Sequence, residues 1–111
     1  MTRREIHRAI RWFQRNVGLT GWTIAVLPGL RDPGDAMGEC VTDVPYHMAK
    51  IWINREAHDD SAAGGECHTL FHELLHCFFD ECLIQAEGEP VEWAINQLAS
   101  ILLQQYRTDT A

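Results

Sequence analysis

Two histidines and a glutamate stand close together in the run His72-Glu73-Leu74-Leu75-His76. Successive residues of a helix turn by about 100°, so His72 and His76 lie one turn apart on one face and can aim two imidazoles at one ion, with Glu73 beside them. Imidazole nitrogens suit zinc, and a carboxylate next to a metal-activated water is placed to take its proton, so the pattern points to metal-assisted hydrolysis. The helix that must carry these groups is legible on its other side. Leu70, Phe71, Leu74 and Phe78 recur at helical spacing, and residues from about 65 to 83 read as one helix with an inward apolar face.

Two histidines seldom hold a catalytic zinc alone; three protein ligands and one open position are the rule. A third histidine after a glycine turn would need Gly at 79 and His at 82, where the chain has Phe79 and Cys82. The other solution is a carboxylate from the following helix, folded back across a short turn. Glu92 suits it best, because Asn96 is one turn on along the same face and small Ala99 continues it. The Asn96 amide oxygen can then accept the remaining N–H of His72 and fix that ring's tautomer and angle. Glu89 and Glu87, in the turn, are the next alternatives, followed by Asp80 and His68. His68, one turn before His72, could line the cleft, but it is one histidine more than the pattern needs and reads as a partly exposed surface residue. An oxyanion donor is not singled out among His68, His47, Tyr46 and Tyr106. Trp12, Trp22, Trp52 and Trp93 read as core or cleft wall.

The chain of 111 residues suits one domain over 1–111 with one modest core. No apolar run reaches the roughly 18 residues of a membrane span, and the N-terminus lacks the apolar core of a signal peptide, so the cytoplasm is the expected compartment. The four cysteines (40, 67, 77 and 82) include no C-x-x-C, and the three in or at the end of the central helix are poorly spaced for bridging. They are expected to be buried free thiols, neither disulfides nor a second zinc site.

A net charge of −7 argues against general nucleic-acid binding. The exception is local: Arg3, Arg4, Arg8, Arg11 and Arg15 are five of the nine basic residues, and the last four share a narrow helical arc. A solvated face is the expected role, ahead of a docking stripe for an acidic partner.

In chain order, Ile6, Ile10, Phe13 and Val17 oppose the arginines and predict an amphipathic helix over 3–16, ended by Asn16 and Gly18. Residues 22–27 alternate large apolar with small or polar residues and predict a half-buried strand; 28–39, with two Pro and three Gly, predict a loop. A short strand over 40–43, a turn at Val44-Pro45 and the strongest strand, 47–54, complete a sheet of about three strands. A polar link over 55–65 leads into the central helix, where Glu66 complements the helix dipole. After a turn at 86–90 the last helix runs from Pro90 to about Arg107, with Ile95, Leu98, Leu102 and Tyr106 as its apolar face. The order α, β, β, β, α, α is that of an α+β domain.

With Glu92-Trp93-Ala94-Ile95-Asn96 following it, the histidine motif resembles the gluzincin branch of the zincin metallopeptidases, whose second motif is E-x-x-x-D. The small size resembles minimal single-domain members and short phage- or prophage-encoded zincin-like proteins, and more distantly ImmA/IrrE-type and SprT-like domains. The resemblance covers roughly residues 22–103; its first motif is specific, its second weak by itself. It implies a zinc-dependent peptidase acting on a peptide or protein substrate, in a host's cytoplasm if phage-encoded. One zinc ion would sit on His72, His76 and Glu92, with Glu73 as general base and the strand around 50–54 as the edge that holds substrate extended. Asn96 departs from the family's Asp: it accepts a hydrogen bond but brings no negative charge to raise the basicity of His72. The alternative is a non-catalytic zinc-binding interaction module on the same fold.

Overall fold

The first helix begins where its backbone donors are capped. Thr2 Oγ1 accepts the Glu5 N–H (3.1 Å) and the Glu5 carboxylate accepts the Thr2 N–H (2.9 Å), a reciprocal box that satisfies two amides with no partner in the helix. The computed structural model describes residues 1–29, 36–54, 65–82 and 88–111. Its elements are α1 (Arg3–Asn16), β1 (Thr23–Pro28), β2 (Gly38–Asp43), a 3-10 turn (Val44–Tyr46), β3 (Met48–Ile53), α2 (Gly65–Glu81) and α3 (Glu89–Asp109). This is the expected α+β arrangement, with boundaries within a few residues of those predicted. Residues 30–35 of the predicted loop at 28–39, 55–64 of the predicted link at 55–65, and Leu83 and Glu87 lie outside the described residues.

The sheet has the order β1-β3-β2, with β1 parallel and β2 antiparallel to β3. The strand predicted to be the edge is therefore the central one: β3 is paired on both sides and has no free edge to offer a substrate. Its composition gives the reason, since Ala49, Ile51 and Ile53 are all buried and a strand so apolar is best used in the middle of the sheet.

The central helix α2 packs on β2 and β3 and also against α1 and α3. Its Leu70, Phe71 and Leu74 are buried, while Phe78 is partly buried against the core. Phe13 stacks on Phe71 at 6.2 Å, and Trp12 and Tyr106 both meet Phe71, at 5.7 and 5.5 Å, so three helices are pinned by one aromatic cluster. Trp12 Nε1–H also donates to Asp109 Oδ2 (2.9 Å). The protonated N-terminus of Met1 pairs with Glu66, tying the chain start to the first turn of α2.

Two apolar expectations shift in α3. Ile95, Ala99 and Leu103 face the core, whereas Leu98 is 40% exposed, because a helix that aims Glu92 and Asn96 at α2 must also bury the residues continuing that face. Trp93, expected in the core or cleft wall, is 66% exposed for the same reason: it lies about 100° around the helix from Glu92. Cys82 is exposed just past the end of α2, contrary to expectation; Cys77 is buried, Cys40 and Cys67 are half-buried, and all four are free.

Gly18, just after α1, is required by space. A Cβ there would lie 2.1 Å from the Phe78 ring. Gly18→Ala is expected to displace that ring and cost about 1–3 kcal/mol, read as a lower urea midpoint with unchanged slope. Among the described residues, no helix is long and apolar enough to cross a membrane.

Candidate metal centre

Helix α2 holds His72 and His76 one turn apart, with ring centroids 4.9 Å apart, and their Nε2 atoms are 3.2 Å from each other. Glu92, in the first turn of α3, closes the group: its Oε2 is 3.0 Å from His72 Nε2 and its Oε1 is 2.9 Å from His76 Nε2. A tetrahedral ion at about 2.0–2.1 Å from each donor would set those atoms about 3.3 Å apart, so the three fit one small divalent cation after shifts of a few tenths of an ångström. Among the described residues this is the only cluster of three or more His, Cys, Asp or Glu side chains close enough to share an ion.

Of the other ligand alternatives, Asp80 accepts the Thr42 hydroxyl (2.8 Å), Glu89 is exposed at the start of α3, and Glu87 lies outside the described residues. Asn96 Oδ1 accepts the His72 Nδ1–H at 2.8 Å, leaving Nε2 as the lone-pair nitrogen facing Glu92 and His76. Burial and the neighbouring His76 hold the His72 pKa below the usual imidazole range, against the pull of Glu92, so the ring is neutral and able to ligate at physiological pH. For a divalent ion held by this group, Asn96→Ala is expected to weaken binding about tenfold, measured by competition with a chromophoric chelator, with α3 still helical.

Glu73 is buried, at 6% exposure, and lines the same cavity as His72, His76 and Glu92. Burial, and then the charge of Glu92, push its carboxyl up to about 7, while a hydrogen bond from the Cys40 thiol opposes the rise. Strand β2 supplies this thiol. Its small residues alternate toward α2: a Cβ on Gly38 would meet Thr69 at 2.7 Å and Glu73 at 3.3 Å, and Thr42 bonds Asp80. Cys40, between them, reaches Glu73 and Cys77, and bonding to Cys77 together with burial pushes its own pKa far up, so it remains a neutral donor. The role of Cys40 was missed from the sequence. The available signal was the alternation Gly38-x-Cys40-x-Thr42, small side chains on one face of a strand where a helix must come close.

His68, expected to be a partly exposed surface residue, lines the cavity; its Nε2 lies 3.1 Å from Ser100 Oγ and 3.3 Å from the Asn96 carbonyl. Burial lowers its pKa, against the Asn96 bond. The other three oxyanion candidates are elsewhere: Tyr46 is 76% exposed, His47 stacks on Trp22, and Tyr106 packs on Trp12 and Phe71.

The fold and site thus define an α+β chain whose central helix and last helix bring a His-His-Glu group together beside a buried glutamate. Comparison with known proteins gave no matching family model, no matching curated protein and no matching solved structure.

Proposed function

We propose that this chain is a zinc-dependent peptidase of the gluzincin type, with His72, His76 and Glu92 as ligands and Glu73 as general base. The observation that carries the reading is the meeting of two imidazole nitrogens on one carboxylate, in a cavity that also holds a buried glutamate tuned toward neutrality. A divalent ion bound there supplies Lewis acidity to a water molecule and to a peptide carbonyl. The proton is the chain's own task. Glu73, steadied by the Cys40 thiol, accepts it from the water and delivers it to the leaving amine.

Strand β2 fits the role that the resemblance gives to a substrate-holding edge. The register to β3 and the bond from Asn54 N–H to the Met37 carbonyl (2.9 Å) turn Met37, Glu39 and Val41 toward β3. The backbone groups of Gly38 and Cys40 then face outward, along the wall of the cavity. An extended peptide paired there would lay a scissile carbonyl near the two histidines.

One observation favours a zinc-binding interaction module without catalysis. Of the donor candidates only His68 lines the cavity, and its Nε2 is already engaged by α3. The test is cleavage of an unfolded protein such as reduced casein by zinc-loaded protein. The peptidase reading expects cleavage that a chelator abolishes and added zinc restores; zinc-loaded protein that cleaves neither casein nor a mixed peptide library leaves the module.

A further inference from the structure

We infer that the free edge of β1 is a docking surface for an extended segment of a partner protein that alternates apolar and acidic residues. This surface is separate from the metal centre, since β3 lies between β1 and β2, and it does not depend on the peptidase reading.

Three observations meet there. The first is a strand edge that is unpaired among the described residues. Bonds from Thr23 N–H to the His47 carbonyl (2.9 Å) and from Gly29 N–H to the Ile53 carbonyl (3.1 Å) fix which residues of β1 face β3. The alternation turns the backbone N–H and C=O of Ile24 and Val26 outward, and among the described residues nothing pairs with them. Pro28, lacking an N–H, ends the edge.

The second is an apolar groove beside that edge. It encloses about 360 Å³ between β1 and α1, with Ile6 and Ile10 from the helix and Ile24 and Val26 from the strand, and the two strand residues are only half-buried. A paired strand's inward side chains would complete this burial.

The third is charge. Arg3 and His7 belong both to this groove and to the adjoining surface formed by Arg4, Arg8, Arg11 and Arg15, so groove and arginine face are continuous. Among the described residues none of the five arginines has a carboxylate partner. Helix α1 carries five of the chain's nine Lys and Arg and only one of its 16 Asp and Glu. A concentrated cationic face on an otherwise acidic molecule selects an anionic partner.

The same numbers choose among anionic partners. From Arg3 to Arg15 the face is about 18 Å long, close to the span of a six-residue strand. A nucleic-acid duplex would run beyond it and meet the acidic remainder of the chain, whereas a short acidic segment stays within it. A second copy paired edge to edge would bring two arginine faces together and is disfavoured by repulsion.

The experiment measures binding of the full chain by fluorescence anisotropy at low salt. The probe is a labelled peptide of about ten residues alternating Val and Glu. It is compared with the Val/Lys peptide, with a Val/Glu peptide N-methylated at alternate amides, and with a short DNA duplex. The Val/Glu peptide is expected to bind at least about tenfold more tightly than the other three, and to lose about tenfold with the Arg3→Glu/Arg4→Glu variant, whose circular dichroism should match the parent. N-methylation keeps the peptide's charge and leaves the protein's folding untouched, so it reads strand pairing alone. Equal binding of the methylated peptide, indifference to the arginine variant, a duplex bound as tightly, or no saturable binding below millimolar concentration would each overturn the inference. So would self-association that the arginine variant abolishes, since it would give the face to a second copy.

Discussion

Glu92→Ala is expected to lower zinc affinity by about a hundredfold or more, so that zinc near one ion per chain in the parent falls to a small fraction in the variant. The geometry makes Glu92 the hinge of the site. Its two carboxylate oxygens straddle the Nε2 atoms of His72 and His76 at 3.0 and 2.9 Å, so removing it leaves two imidazoles one helical turn apart and no anionic group between them. The loss can be separated from misfolding, because the Glu92 side chain is 47% exposed and alanine is a strong helix former. Metal content by plasma mass spectrometry, with Glu89→Ala as the control one turn earlier, decides the matter. Glu89 is exposed and, among the described residues, belongs to no ligand group, so its variant should keep the ion. Glu92→Ala retaining zinc at the parent's level would remove the carboxylate from the site and with it the peptidase proposal.

The parts of this arrangement that the chain announces are those carried by local spacing. His72 and His76 are one turn apart on any helix, and Glu92 and Asn96 share a face on any helix, so both pairs are readable without knowing how the helices pack. The elements themselves follow from period and turn chemistry, and their order already implied the α+β class. What spacing does not carry is strand order. The resemblance makes the strand around 50–54 an edge, yet the buried Ala49, Ile51 and Ile53 of β3 put it in the middle, and the edge beside α2 is β2, composed of Gly, Glu, Cys, Val, Thr and Asp. The contact between Cys40 and Glu73 depends on that order, because the two are 33 positions apart and meet only when Gly38 lets the strand close on the helix. Leu98 and Trp93 were misplaced for a related reason: the rotation of α3 is fixed by Glu92, Asn96 and Ala99 facing α2, and an apolar residue off that face is left outside.

Glu73→Gln is expected to move function and stability in opposite directions. Glutamine keeps the size and a hydrogen-bond acceptor for Cys40 but cannot take a proton, so cleavage should fall about a hundred- to ten-thousandfold while zinc stays bound. Stability should rise. Burial holds the folded-state carboxyl at about 7, above the ordinary 4.5, so the folded chain binds more protons than the unfolded chain between those values. Stability due to this group is therefore complete at acid pH and declines as pH climbs through about 7, where the buried carboxylate ionises. The neutral amide has no such decline. In zinc-free protein Glu73→Gln should match the parent near pH 4 and exceed it at pH 8 by about 1–3 kcal/mol, several degrees in Tm, because a bound dication would itself offset the carboxylate's charge. A variant that loses cleavage, keeps the ion and melts higher at pH 8 would mark Glu73 as a strained general base. A variant that melts higher with every measurable function intact would mark the same carboxylate as idle, and the module reading would take its place.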